Sequence, residues 1–557
     1  MSAWLAANLA PVMFAAMVLF LLSGVPVAFA LAACGIVFGL IGIELGLLSA
    51  SLVQAMPDRV WGVMSNDTLL AIPFFTFMGL VLERSGMAED LLDTVGRLFG
   101  TLRGGLAVAV VLVGALLAAT TGVVAASVIS MGLISLPIML RAGYDARLAS
   151  GVICASGTLA QIIPPSLVLI VLADQLGRPV GDMYRGALLP GLVLTGLYLI
   201  YVLAVAWLRP HKAPALPEAD DHNAAERRGV WALFAVAVLA GIAASQLPAL
   251  QAHTADARAL FAVTAGGSVA WLIAVADRLL HLNLLPDLAR RVAFVLMPPL
   301  ALIFLVLGTI YLGLATPTEG GAMGATGALL MAAARRRLNR DLLQQALDRT
   351  VRLTTFVLFI LIGSRVFSLT FYGIDGHLWV EHLLLGLPGG ETGFLIVVMT
   401  LVFVLAFFLD FFELAFIVVP LLAPVADKLG IDLVWFGVLL AVNMQTSFMH
   451  PPFGFALFYL RSVAPKTLPT RDIYWGAVPF VGIQIVMVAL VLAVPQLVTA
   501  NLGTVQRAAG DAVTTDADYR RSSSAPRLPA GHPDAALEAA IEKAEAMVEP
   551  LAGEDVE

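Results

Sequence analysis

The chain has 557 residues, of which 60% are hydrophobic and only 13% charged, and its mean hydropathy is +0.93. Soluble domains carry about 25% charged residues, so a water-facing globule is excluded. The net charge of −7 says little about partners, because eleven acidic against five basic residues follow Ala500; no basic stripe points to nucleic acid.

The N-terminal stretch has no basic n-region and reads as a first membrane segment, not a cleaved signal. Apolar runs fall at 10–22, 25–48, 67–82, 105–140, 148–175 and 186–208. Two more, 229–247 and 259–276, follow a polar stretch at 209–228. After a charged stretch at 277–291 come 292–314, 320–334, 353–372, 393–425, 433–460 and 473–498. A hydrocarbon core needs about 20 residues of helix per crossing. The alternation of barrel strands is absent, so an all-α polytopic membrane protein is predicted. The remainder, 499–557, is polar and acidic; it reads as a disordered tail with a short surface helix at 533–551. Cys34 and Cys154 sit in distant apolar runs and read as buried small hydrophobes.

Loop charge orients the chain. The loops after 67–82 and 105–140, with 335–352 and 461–471, hold fourteen basic residues; the opposite loops hold four, Arg59, Arg178, Arg185 and Lys428. The positive-inside rule places the first set in the cytoplasm. Arg103 and Arg141, which bracket 105–140, then lie on one side, so that segment must be re-entrant. The 393–425 segment is bracketed in the same way by the other face. One hairpin from each side is the signature of an inverted repeat. Aligning Pro164-Pro165 with Pro451-Pro452 places Ser156 on Asn443, Thr158 on Gln445, and Pro137 on Pro420. The domains read as a first repeat at 1–208, an inserted helical pair at 209–291, a second repeat at 292–498, and the tail.

Two successive prolines break a membrane helix, and the freed carbonyls need a cavity, water or a cation. Before the first pair stand Ser156, Thr158 and Gln161, with Ser166 just after it; before the second stand Asn443, Gln445, Thr446, Ser447 and His450. Neutral oxygens of this kind suit a dehydrated monovalent cation, although a simple kink with back-bonded hydroxyls would use the same residues. The tip of the first hairpin carries Thr120, Thr121 and Gly122, then Ser127; small residues for close helix packing are the competing reading. Asp410 and Glu413 lie on one helix face in the second hairpin, as functional carboxylates, interfacial residues, or partners of an arginine such as Arg365. Glu319 is a similar case. His450 reads as a neutral hydrogen-bonded imidazole or as a titrating group. No zinc-protease, Walker or nucleophile-elbow motif is present in the sequence.

The stretches 135–166, 313–325 and 432–465 resemble the large membrane subunit of the tripartite ATP-independent periplasmic (TRAP) transporters, and the resemblance spans most of 10–498. The long insertion and the wording QTSF…PPFGFALFYLR look most like the branch named for mannitol or chloroaromatic compounds. The resemblance implies an elevator mechanism, Na⁺ as the coupling ion with no other cofactor, a small four-helix membrane subunit, a periplasmic solute-binding protein, and organic acids as substrates. It implies one Na⁺ between Thr120, Thr121 and Gly122 and the break at Ser156, Gly157, Thr158 and Pro164. A second would sit among Asp410, Glu413, Asn443, Gln445, Thr446 and His450, with Ser127, Gln161 and Ser447 toward the substrate. The chain departs from the family in its first tip, which is less serine-rich, and at His450, where a threonine is common. The alternative is a binding-protein-independent H⁺-coupled transporter using Asp410, Glu413 and His450. A lipid-modifying enzyme would need a catalytic constellation, and these three residues form no recognised one.

Overall fold

The computed structural model describes residues 2–100, 102–215, 222–247, 255–282, 284–451, 454–500 and Leu502. The expected tail from 503 onward, with its short helix, and Pro452 lie outside the described residues. Every regular element among the described residues is helical. Among the described residues eight helices are long and apolar enough to cross a membrane, or ten if two bent pairs each count as one span.

The helices run as two parallel sets. Leu9–Leu22, Val27–Glu44 and the bent pair Met56–Met64 and Ala71–Arg84 open the first. Asp287–Tyr311, Pro317–Ala334 and the 34-residue Arg340–Gly373 open the second. Each set then has a short helix, Met87–Phe99 or Gly376–Leu385. A hairpin follows, Gly105–Thr121 with Val124–Arg141, or Gly390–Leu405 with Phe411–Lys428. Next comes a broken helix. Ala146–Thr158 and Leu433–Gln445 are each 13 residues long, each is followed by a three-residue 3₁₀ turn, and each resumes at Leu167 or Phe455. Val180–Leu208 and Thr470–Ala493 close the two sets.

Three readings change. The 83–104 and 373–392 stretches are not plain loops. Met87–Phe99 is amphipathic, burying Met87, Ala88, Leu91, Leu92 and Val95; a window tuned to whole spans passes over such a short stripe. The boundary at 292 also moves, because Asp287–Tyr311 is one continuous helix. The charged residues there anchor its start: the enclosed Asp277 of the inserted pair (His222–Ser245 and Ala255–Leu279) takes Arg290 Nη2 at 3.1 Å and the Leu284 N–H at 2.7 Å. The second hairpin runs to 390–428, longer than 393–425 at both ends, because glycines and Lys428 cap an otherwise apolar pair.

The two ends of the first hairpin lie together, as a re-entrant segment requires. The Gly104 N–H donates to Ala213 O at 3.0 Å and the Asp145 N–H to Lys212 O at 2.9 Å, so both ends meet the same two residues. The remaining polar contacts sort the loops as the basic residues do. Arg335 pairs with Asp90 at 2.6 Å, Arg84 bonds Gln345 at 2.5 Å, and Arg147 pairs with Asp472 at 2.9 Å. On the other face Lys428 pairs with Glu381 at 2.6 Å and Arg178 approaches Asp427 at 3.8 Å.

The repeats are interlaced. Thr370 of the second repeat donates to Gly35 O in the first at 2.7 Å, and Thr318 donates to Asp67 O at 2.6 Å. These outer helices form a framework with many exposed apolar side chains, such as Ile36, Leu40 and Phe359, as lipid contact requires. The broken helices lie within: residues 148–158 and all of Leu433–Gln445 are buried.

Candidate functional site

Aspartate starts each broken helix. Asp145 accepts the N–H groups of Arg147 and Leu148 at 2.9 and 3.2 Å, and Asp432 accepts that of Trp435 at 2.8 Å. Partial burial pushes the Asp145 carboxyl up, but Lys212 at 3.1 Å and the two N–H groups more than offset this and hold it below the ordinary range.

The first hairpin closes over the first break. Gly122 ends Gly105–Thr121 in the left-handed conformation, φ +58°, and a Cβ there would stand 2.8 Å from Pro165 O. The two arms flank the helix before the break. A Cβ on Gly114 would meet Ser156 Cβ at 2.5 Å, and one on Gly157 would meet Val128 Cγ2 at 2.3 Å. Thr120 donates to Leu117 O at 2.9 Å, Ser156 to Val152 O at 2.6 Å and Thr158 to Ala155 O at 2.9 Å. Each hydroxyl hydrogen is thus turned back into its own helix, which leaves the oxygen lone pairs as acceptors. Thr121 ends the helix, and its side chain is outside the described residues. Ser127 is buried in the second arm. Ser166 donates to Gln161 O at 2.5 Å and caps the resumed helix.

The second hairpin faces the second break in the same way. Asn443 Nδ2 donates to Met399 O at 2.8 Å, and Thr446 donates to Asn443 O at 2.7 Å. The His450 ring stacks on Phe407, centroids 4.1 Å apart, with Phe403 edge-on at 4.5 Å. These two rings enclose the imidazole, which lies against the backbone of Ala406. Its neighbours on the hairpin tip are aromatic.

Asp410 and Glu413 form a capping box. The Glu413 N–H donates to Asp410 Oδ1 at 2.8 Å, and the Asp410 N–H donates to Glu413 Oε2 at 2.9 Å. Among the described residues neither pairs with Arg365. Glu319 does the same with Thr316 at the start of Pro317–Ala334. The i, i+3 spacing that marks a shared helix face is also the spacing of a cap.

Gln445 departs most from expectation. Its Nε2 donates to Thr158 Oγ1 at 3.2 Å, so a residue expected in the second site touches one expected in the first. These two positions are equivalent in the proline alignment, and their contact lies where the repeats cross. Met449 Sδ is 3.8 Å from Thr158 Oγ1 and 3.6 Å from Gln484 Nε2, which also bonds Tyr198 OH at 3.0 Å. The sequence reading passed over Gln484 and Tyr198; a lone glutamine inside the run GIQIVMVAL was the available signal. Gln161 Oε1, Gln445 Oε1 and Ser447 Oγ are buried without a hydrogen-bond partner among the described residues. Cys34 and Cys154 are buried free thiols, as expected.

Residues 14–497 match the family described as "Tripartite ATP-independent periplasmic transporter, DctM component". The chain belongs to this family. It is a TRAP large permease, a multi-pass protein of the inner membrane. The permease is 27% identical over 456 residues to the C4-dicarboxylate TRAP transporter large permease DctM of Pseudomonas aeruginosa, covering 81% of this chain and 89% of that one. It is 28% identical to the Vibrio cholerae protein of the same name, covering 86% and 93%. With the 2,3-diketo-L-gulonate TRAP transporter large permease YiaN of Escherichia coli it shares 24% over 86% and 95%. The solved YdaH transporter of Alcanivorax borkumensis is 16% identical with a TM-score of 0.47, over 82% of this chain and 90% of that one.

Proposed function

We propose that this permease moves small organic acids inward with Na⁺, in an elevator cycle in which the hairpins and broken helices slide within the framework. The observation that carries the reading is the pair of hairpin tips closed on two helix breaks whose nearby hydroxyl hydrogens are already engaged. Ser156 and Thr120, with carbonyls freed at the first break, offer neutral oxygen acceptors, the donor set for a dehydrated monovalent cation. Asn443, Thr446 and the capped tip at Asp410 offer the counterpart in the second repeat. The relatives named for dicarboxylate and diketogulonate transport support an organic acid as cargo. Family membership supports a small membrane subunit and a periplasmic binding protein as partners.

Reconstitution with both partners in vesicles tests this. Uptake should require an inward Na⁺ gradient, and Ser156→Ala should raise the half-saturating Na⁺ concentration by about tenfold while membrane insertion is retained. Uptake driven by a proton gradient and indifferent to Na⁺ would overturn the coupling. Surroundings of His450 that are aromatic, with no facing carboxylate bonded to it, do not favour the proton-relay alternative.

A further inference from the structure

A cavity of about 430 Å³ lies on the opposite face from the basic loops. Its walls include Arg59, Gln175, Arg365, Ser368, Tyr372 and Pro420. Two of these elements belong to the framework: Met56–Met64 carries Arg59, and Arg340–Gly373 carries Arg365, Ser368 and Tyr372. The other two are transport elements, since Gln175 ends the first broken helix and Pro420 is on the return arm of the second hairpin. Tyr372 OH donates to Pro420 O at 3.2 Å, and Ser364 donates to Phe416 O at 2.6 Å, so the seam is closed beside the cavity by two bonds.

The charge of the cavity has one sign. Among the described residues two arginines line it and no carboxylate does. Arg59 is exposed and Arg365 half-buried. Neither is in an ion pair or a hydrogen bond with another described residue. Asp174, beside the lining Gln175, is engaged elsewhere: it accepts from Asn66 at 2.6 Å and from Gln175 at 2.7 Å. Arg365 stands eight residues, about 12 Å, inside the outer end of its helix, at a depth where an unpaired guanidinium is costly and marks a solute pathway. A guanidinium fork matches a carboxylate in two parallel hydrogen bonds, and the volume falls in the range of small-molecule sites.

We infer that Arg365 and Arg59 form an outer-face docking site for the carboxylate of a small organic acid, at the seam where moving and fixed elements meet. The inference rests on the reading of this permease as an organic-acid importer, and names where the permease first holds the anion. The full chain in phosphatidylcholine nanodiscs would be treated with phenylglyoxal and its arginine adducts mapped by mass spectrometry. Succinate at saturation should cut adducts at Arg59 and Arg365 by about tenfold, while the neutral isostere succinamide should not, and Arg97 on the basic face should be unaffected. In Arg365→Gln, succinate should no longer protect Arg59; in Arg365→Lys, which keeps the charge, partial protection should return. Absence of succinate protection in the unaltered chain would overturn the inference. So would equal protection by phosphatidylglycerol alone, which would make the site one for lipid phosphate. The measurement needs no ion gradient. Protection with proton-driven uptake would therefore sink the Na⁺ reading alone, and Na⁺-driven uptake without protection would sink the docking site alone.

Discussion

Two buried side-chain bonds join the repeats at their centre, Gln445 to Thr158 and Gln484 to Tyr198. Gln445 Nε2 and Thr158 Oγ1, 3.2 Å apart and buried, are equivalent positions in the proline alignment. Gln445→Leu would leave the Thr158 oxygen without its donor and remove the amide, at a cost of about 1–3 kcal/mol. The expected outcome is a lowered unfolding temperature and slower uptake with insertion intact, read by a thermal-shift assay beside vesicle uptake. Asp410 allows its two roles to be separated. Asparagine is as good an N-cap as aspartate, whereas alanine costs about 1 kcal/mol. Asp410→Asn should therefore keep the hairpin and weaken Na⁺ dependence, and Asp410→Ala should also lower stability. Wild-type Na⁺ dependence in Asp410→Asn would reduce the carboxylate to a cap. The roles of Asp410 and Glu413 were not separable in the sequence, because a capping box and a two-carboxylate site share one spacing. That Phe403 and Phe407 enclose His450 is likewise visible only in the fold.

Among elements, the hairpins do the positioning. The first could be read from charge alone, since Arg103 and Arg141 demand the same side, and the bonds of Gly104 and Asp145 to residues 212–213 agree. Its tip was legible as small and polar. That Gly122 itself bears on Pro165 O was not, because the contact joins two segments. Gly122→Val would force a branched side chain into the left-handed region, at about 1–2 kcal/mol, and into a carbonyl 2.8 Å away. Uptake should fall sharply while the amount of inserted protein stays near normal, as measured by vesicle uptake and membrane fractionation. The short helices Met87–Phe99 and Gly376–Leu385 were missed, since a helix of about three turns is invisible to a span-length hydropathy window.

At the scale of the whole molecule, the interlacing of the repeats ties the loops of each face to one another. Single cysteines would be introduced at Arg59 and Lys428 for one face and at Arg97 and Arg340 for the other. In intact cells an impermeant thiol reagent should label the first pair and spare the second. Cys34 and Cys154 stay silent in such an assay because both are buried. Labelling at Arg97 would invert the topology.

Composition alone settled that the chain crosses the membrane many times, and loop charge gave the expectation that its halves are inverted, because transfer energy and the positive-inside rule act on residues one at a time. Proline pairs show where that reasoning stops. Pro164-Pro165 and Pro451-Pro452 follow 3₁₀ turns that end their helices, yet Pro298-Pro299 lies within the unbroken helix Asp287–Tyr311. The same dipeptide removes the same donors in all three places. Only the tertiary structure decides which pairs become breaks: Pro165 meets the tip of the first hairpin, His450 before Pro451 meets the second, and Pro298-Pro299 runs in the framework.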